Sequence, residues 1–205
     1  MASIYDLKPA FQNLLRPICR ACAAAGITAN MVTIAALLLS VAAGMAIALT
    51  GGANWSLWLL PVVLFVRMAL NAIDGMLARE HGMKSALGAI LNEIGDVVAD
   101  SAIYLPFAYI GGVAPAAVVA FVLLAIVSEM TGVVGVQIGA SRRYDGPMGK
   151  SDRAFLVGAA AVLLALAPSF DWPGADIVSW AFLGGSALLC VTIFNRARRA
   201  LAERA

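Results

Sequence analysis

Long apolar stretches alternate with short polar segments along almost the whole chain. Six of these stretches can cross a bilayer as helices, since a hydrocarbon core of about 30 Å takes roughly 20 helical residues. They lie at about 31–50, 55–77, 87–111, 114–139, 153–169 and 175–195. The pattern predicts an all-α, polytopic integral membrane protein with six transmembrane helices and no internal repeat.

The first 25 residues follow a different pattern, in which apolar residues at helical spacing are separated by basic ones. The apolar positions are Ile4, Leu7, Phe11, Leu14, Leu15, Ile18 and Cys22, and the basic positions are Lys8, Arg16 and Arg20. This predicts an amphipathic interfacial helix on the cytoplasmic leaflet, broken or bent at Pro9 and Pro17, with a disordered tail as the alternative. We therefore divide the chain into an amphipathic helix (1–25), a six-helix membrane domain (26–200) and a tail (201–205).

The charged residues show how the chain is oriented. Only 13% of the residues are charged, against about a quarter in soluble domains. Lys and Arg are confined to the segments that lie on one side of a six-span arrangement, with Arg67 inside the second span as the exception. Because cytoplasmic loops carry the excess of basic residues, we expect a multi-pass protein of the inner or plasma membrane with both termini in the cytoplasm. No nucleic-acid partner is expected.

The three cysteines and the single histidine do not form a recognisable metal or redox site. Cys19 and Cys22 lie in the amphipathic segment without a second pair or a nearby histidine, so neither zinc nor a disulfide framework is expected. His81 follows Glu80 in a predicted loop, where a solvated side chain is the simpler interpretation.

A polar segment at 71–100 interrupts the second and third predicted spans. Asp74 follows Asn71 by three residues, and Asn92, Asp96 and Asp100 recur every four, which places each group on one helical face. Charged groups inside membrane segments are costly and normally face a bundle interior or a wet cavity. One interpretation is a polar seam between helices. We favour a site for a metal-bound anionic ligand, because small residues let the helix backbones approach there: Gly75, Ala78 and Gly88.

This segment resembles the signature of the CDP-alcohol phosphotransferase family. The family pattern is D-x2-D-G-x2-A-R-x8-G-x3-D-x3-D. Here it reads Asn71-x2-Asp74-Gly75-x2-Ala78-Arg79-x8-Gly88-x3-Asn92-x3-Asp96, with every spacing kept and two aspartates replaced by asparagine. The six-span layout and the amphipathic head also resemble the family. The resemblance implies transfer of a phosphatidyl or similar phospho-alcohol group from a CDP-linked donor to an acceptor hydroxyl, with release of CMP.

The resemblance also assigns expected roles to individual residues. It places Asn71, Asp74, Asn92 and Asp96 at the site of one or two Mg²⁺ or Mn²⁺ ions, with Asp96 as the general base. It implies a nucleotide site that comprises Asn30, Thr33, Gly75, Ala78, Arg79 and Gly88, and it places an acceptor phosphate near Lys150 and Arg153. Family members are typically homodimers, so a homodimer is expected here.

Asn71 and Asn92 are the main departure from the family pattern. Amide oxygens can bind a cation but bring no negative charge; Glu93 and Asp100, near the same helical stripe as Asp96, are candidate compensating acids. The departure leaves two alternatives: a non-catalytic relative that binds a CDP-lipid or a cation, and a small ion transporter. A transporter would use Arg67, Asp74, Asp96, Asp100 and Glu129 as an ion path. If the chain is not a transporter, Arg67 is expected to pair with an acid inside the bundle, such as Glu129.

Of these interpretations we adopt the enzyme. Lateral access from the bilayer favours CDP-diacylglycerol as the donor. The acceptor is a small polar alcohol, and the basic loop at 141–153 favours a phosphorylated acceptor over serine. Membrane lipids are the remaining expected partners.

Overall fold

The computed structural model describes residues 4–204, with side chains described from Ala10 onwards. In this part of the chain every regular element is helical. The α-helices are α1 (Ile4–Ala24), α2 (Ala29–Thr50), α3 (Asn54–Glu80), α4 (Ala86–Tyr104), α5 (Pro115–Gln137), α6 (Lys150–Phe170) and α7 (Gly174–Arg204), and a short 3-10 helix covers Leu105–Tyr109. The all-α class is therefore confirmed.

Five of these helices, α2, α3, α5, α6 and α7, are long and apolar enough to cross a membrane. The chain is therefore a polytopic membrane protein, as predicted. The third predicted span corresponds to α4, which carries Glu93, Asp96 and Asp100 within 19 residues. With these three acids, α4 falls outside the five candidate membrane spans. The count of six membrane passes therefore stays a prediction.

The prediction of one continuous helix over 87–111 was wrong at its C-terminal end. The α-helix stops at Tyr104, and the 3-10 helix that follows has Pro106 within its first two positions. A proline has no N–H to donate and clashes with the preceding turn, so it can bend or end an α-helix. Other helices do continue through a proline: α1 runs from Ile4 to Ala24 without a break at Pro9 or Pro17, and α3 contains Pro61. The expected break of α1 is therefore wrong, and a bend there stays a prediction.

The chain forms two compact units, and the first comprises the chain up to Val41 together with Val62–Ala99. In this unit Leu15 and Cys19 of α1 are buried in one apolar cluster with Val32 of α2 and Leu77 of α3. Burial raises the pKa of the Cys19 thiol, so this thiol stays protonated like a small apolar side chain. At the rim of the cluster, Nη1 of Arg16 lies 2.8 Å from Oε2 of Glu80. The interfacial position of α1 stays a prediction: Leu15 and Cys19 are packed in this cluster, whereas Leu14 and Ile18 are exposed.

The second unit, Ala42–Pro61 and Asp100 to the C-terminal end, contains a buried ionic cluster. Arg153 of α6 is 1% exposed, and its Nη2 lies 3.1 Å from Oδ2 of Asp100 and 2.9 Å from Oε1 of Glu129. The Glu129 carboxylate also contacts Arg142 at 2.9 Å and Arg196 at 3.4 Å. Glu129 is thus a shared counterion for three arginines. We refer to Asp100, Glu129, Arg142, Arg153 and Arg196 as the arginine cluster.

The arginine cluster also fixes the loop between α5 and α6. Arg196 donates hydrogen bonds to the carbonyl oxygens of Asp145 and Ser128. The Asp145 side chain accepts hydrogen bonds from Arg143, at 2.8 Å, and from Arg199. Burial alone would raise the pKa of Asp145, but the hydrogen bonds from these two guanidinium groups hold that pKa below its ordinary value. The loop is therefore tied to α7 through charge as well as through backbone contacts.

We predict that Arg153→Met lowers the stability of the folded protein by about 3–5 kcal/mol. Methionine can fill much of the same volume, but it leaves the carboxylates of Asp100 and Glu129 buried with less compensating charge. The expected result is a clearly lower unfolding temperature of the purified protein in detergent, followed by circular dichroism.

Arg198→Met is the matched control, because Arg198 is exposed on α7 and exposed substitutions usually change stability by no more than about 0.5 kcal/mol. Equal unfolding temperatures for the two variants would contradict the structural role of Arg153.

Candidate active site

A cavity of about 650 Å³ opens within the first unit, between the start of α2, the end of α3, the connection 81–85 and the first half of α4. Its lining combines polar, charged and small residues: Ala29, Asn30, Thr33, Asp74, Gly75, Ala78, Arg79, Met83, Lys84, Ser85, Ala86, Gly88, Ala89 and Asn92. Every residue predicted for the nucleotide site is in this set, together with Asp74 and Asn92 from the predicted metal set. The fold therefore brings distant parts of the sequence into one cavity.

Two glycines allow the polar side chains to approach the cavity wall. A Cβ at Gly88 would lie 2.7 Å from Oδ1 of Asn30 and 3.0 Å from Oγ of Ser85. A Cβ at Gly75 would lie 3.0 Å from a guanidinium nitrogen of Arg79. These distances are shorter than ordinary carbon contacts, so any larger residue would push the Asn30 amide or the Arg79 guanidinium away. The close approach of helix backbones at these glycines stays a prediction, since the neighbours found here are side chains.

Asp74 is 6% exposed and lies at the inner wall of the cavity. The Thr33 hydroxyl is 2.8 Å from its Oδ2 and 3.1 Å from the carbonyl oxygen of Ala29. A hydroxyl has one proton to donate, and the charged carboxylate is both the closer and the stronger acceptor. Thr33, one turn into α2, thereby orients the Asp74 carboxylate.

Asp96 lies farther along α4 and is paired with Arg67. Nη2 of Arg67 is 3.6 Å from Oδ1 of Asp96 and donates a hydrogen bond of 3.4 Å to the Asp96 carbonyl oxygen. Arg67 is 3% exposed, so the expectation that it pairs with an acid inside the protein is confirmed. Glu129, suggested as that acid, lies instead in the arginine cluster.

The donor groups fit one divalent cation better than two. Among the described residues no three Asp, Glu, His or Cys side chains come together as a metal set. Asp74 and Asn92 line the cavity, whereas Asn71 and Asp96 are not part of its described lining. Of the candidate compensating acids, Asp100 is hydrogen-bonded to Arg153, so its charge is already balanced. Two dications in this set would face too little negative charge.

The connection between α3 and α4 supplies cavity residues that sequence reasoning missed. Met83, Lys84 and Ser85 all lie on the lining, and Oγ of Ser85 accepts a 2.9 Å hydrogen bond from the Gly88 amide at the start of α4. These residues occupy the eight-residue gap of the signature, in which no residue type is fixed. The polarity of Lys84 and Ser85 was the available signal. Lys150 and Arg153, predicted for an acceptor phosphate, belong to the second unit.

The sequence is similar to known proteins along most of its length. The family model described as CDP-alcohol phosphatidyltransferase matches residues 26–192. The inner membrane protein YnbA of Escherichia coli (strain K12) is 42% identical over 199 residues, which cover 97% of this chain and 96% of YnbA. A phosphatidylinositol phosphate synthase of Mycolicibacterium smegmatis is 30% identical over 179 residues, which cover 84% of this chain and 78% of the synthase.

Solved structures show the same fold. Phosphatidylinositol phosphate synthase of Mycobacterium tuberculosis in its apo form superposes with a TM-score of 0.76 at 21% identity, over 92% of this chain and 97% of that chain. The same synthase with CDP-DAG bound gives a TM-score of 0.73 at 22% identity, over 90% and 92% of the two chains. With the family model covering most of the sequence, the chain belongs to the CDP-alcohol phosphatidyltransferase family.

Proposed function

We propose that this protein transfers a phosphatidyl group from CDP-diacylglycerol to the hydroxyl of a small polar alcohol and releases CMP. The observation that carries the proposal is the cavity of the first unit, which gathers Asp74, Asn92 and the expected nucleotide residues. Its volume of about 650 Å³ is within the usual range of ligand cavities. Further support comes from the relatives, which include phosphatidylinositol phosphate synthases, one of them solved with CDP-DAG bound.

The nucleotide part of the donor is proposed to lie against α2, α3 and the start of α4. Asn30, held beside Gly88, offers an amide for hydrogen bonding to the cytidine. Ala78 and Gly75 present little side-chain bulk, and Arg79 offers a cation to the diphosphate. The Thr33 hydroxyl is assigned to the orientation of Asp74. Each assignment uses a residue of the cavity wall.

A single Mg²⁺ or Mn²⁺ ion is proposed at Asp74 and Asn92, whose oxygens are the hard ligands that these cations prefer. When bound, such an ion neutralises the charge on the reacting phosphate and stabilises the leaving group. In the reaction the acceptor oxygen forms a bond to the phosphorus next to the lipid. The bond from that phosphorus to CMP breaks, and CMP leaves with the electron pair. Asp96 is proposed to take the hydroxyl proton, and Arg67 positions its carboxylate.

The acceptor is proposed by class only, as a small polar alcohol with or without a phosphate. Three arginines and two carboxylates leave the arginine cluster with one net positive charge, and Lys150 begins the same helix as Arg153. That charge suits one anionic group. Because Arg153 already binds two carboxylates, a phosphorylated acceptor would have to compete with Asp100 and Glu129 for it.

The proposed setting is the inner or plasma membrane, with both termini and the cavity on the cytoplasmic side. Support comes from the basic residues of α1, of the 79–84 region and of the α5–α6 loop, together with the inner-membrane relative. We also propose the division into an amphipathic helix, a membrane domain and a short tail, although α7 continues as a helix to Arg204. A homodimer stays a prediction.

A non-catalytic CDP-lipid-binding protein is the second candidate, and Asn71 and Asn92 are the observation that favours it. Two amides in place of two acids weaken the expected cation site without removing the cavity. In that case the protein would bind the lipid and turn over no acceptor.

We predict that the purified protein releases CMP from labelled CDP-diacylglycerol when Mg²⁺ or Mn²⁺ and the right alcohol are present. A panel of alcohols, each tested with and without a phosphate, identifies the acceptor. Asp96→Asn should lower the rate at least 10²-fold, because general-base catalysis typically contributes that much, while binding of the donor is retained. Tight donor binding without turnover of any acceptor would instead support the non-catalytic candidate.

We predict that Gly88→Ala weakens the binding of CDP about tenfold or more in isothermal titration calorimetry. The new Cβ would collide with the Asn30 amide and displace it from the cavity wall.

Gly95→Ala is the matched control on the same helix, because its Cβ would meet Thr33 only at an ordinary distance of 3.9 Å. CDP affinity within about twofold of the wild type is expected for this control. Equal losses in the two variants would contradict the assignment of Asn30 to the nucleotide.

A further inference from the structure

The cavity wall is richer in positive charge than the family signature implies. Its described lining contains one carboxylate, Asp74, and two cations, Arg79 and Lys84. The signature fixes four aspartates, and in this chain two of those positions are Asn71 and Asn92. The site thus has two fewer acids than the signature specifies. Lys84 lines the cavity at a position for which the signature specifies no residue type.

Lys84 is exposed on the connection between α3 and α4, directly before Ser85, which caps α4. Within the described part of the chain, Lys84 has no hydrogen bond or ion pair, and the same holds for Arg79. The Arg79 guanidinium lies against Gly75 on the cavity wall. Both cations are therefore available to an anion that enters the cavity.

We propose that Lys84, together with Arg79, binds the diphosphate of the donor and supplies the positive charge that a second divalent cation would otherwise bring. The site then takes up one divalent cation. This inference rests on the proposed function, since it requires a CDP-linked lipid in the cavity.

The charges of the groups concerned support a single cation. Arg67 lies beside Asp96, and Arg79 and Lys84 line the cavity with Asp74, so these three cations and two carboxylates leave one net positive charge on the protein. The diphosphate of a CDP-linked lipid carries two negative charges, which one dication neutralises. A second dication would leave three uncompensated positive charges in a confined, partly apolar site, where charge imbalance is expensive. Aspartates at positions 71 and 92 would restore the need for a second dication.

A lysine can take this role because its ammonium group is a compact positive charge that also donates hydrogen bonds to phosphate oxygens. Its flexible stem lets the ammonium follow the ligand from the exposed connection into the cavity. A cation fixed in the protein also requires no aspartates to hold it, which agrees with the amides at 71 and 92.

Donor binding and metal stoichiometry, both independent of turnover, test the proposal. Binding of short-chain CDP-diacylglycerol to the purified full chain is followed by calorimetry, with Mn²⁺ and with EDTA. Bound Mn²⁺ per chain is counted by electron paramagnetic resonance in the presence of the donor. The wild type is expected to hold one Mn²⁺, and the double variant Asn71→Asp/Asn92→Asp is expected to hold two.

Lys84→Met should weaken donor binding at least tenfold, with the unfolding temperature unchanged because the side chain is exposed. Lys84→Arg keeps the charge and should stay within about threefold of the wild type. Arg198→Met removes an exposed cation elsewhere and should leave donor affinity unchanged.

Two Mn²⁺ ions in the wild type, or unchanged donor affinity in Lys84→Met, would overturn the inference while leaving the proposed function standing. A wild-type protein that binds no CDP-diacylglycerol, with Mn²⁺ or with EDTA, would overturn both.

Discussion

The cost of placing charge inside an apolar membrane protein governs how this molecule is built. Each deeply buried ionic group that anchors the structure lies against a group that compensates it. Arg153 is held by Asp100 and Glu129, Arg67 lies beside Asp96, and the Thr33 hydroxyl faces Asp74. Because an unpaired charge in such surroundings costs several kcal/mol, these pairs fix which helix faces can meet. Helix packing and site geometry are therefore consequences of the same requirement.

The two compact units use charge differently. In the second unit the arginine cluster pairs each of its two carboxylates with arginine and joins residues of four helices and a loop, so its first effect is structural. In the first unit Arg79 and Lys84 face a cavity without a described counterion. The arginine cluster stabilises the second unit, whereas Arg79 and Lys84 leave positive charge on the cavity wall of the first unit. This contrast supports the proposal that the cavity binds an anionic nucleotide and that the asparagines at 71 and 92 belong to the same charge balance.

Several features could be predicted because they depend on local periodicity or on a spaced motif. The long apolar helices, the grouping of the expected nucleotide residues in one place and the pairing of Arg67 with an acid were all predictable in this way. Other details differed from the prediction. The α-helix α4 ended before Pro106, α1 was not broken at Pro9 or Pro17, and Glu129 joined three arginines instead of Arg67. Lys84 was overlooked because the motif leaves its position unspecified.

The sequence by itself determined the membrane class, the helical content and the identity of the motif, since hydrophobic length and i, i+3, i+4 spacing are properties of short segments. Only the tertiary structure decided which charges compensate each other, because residues far apart in the chain meet only after the helices pack. Asn30 lies against Gly88, and Arg153 lies between Asp100 and Glu129. Neither contact follows from spacing along one helix, because each joins residues of different helices.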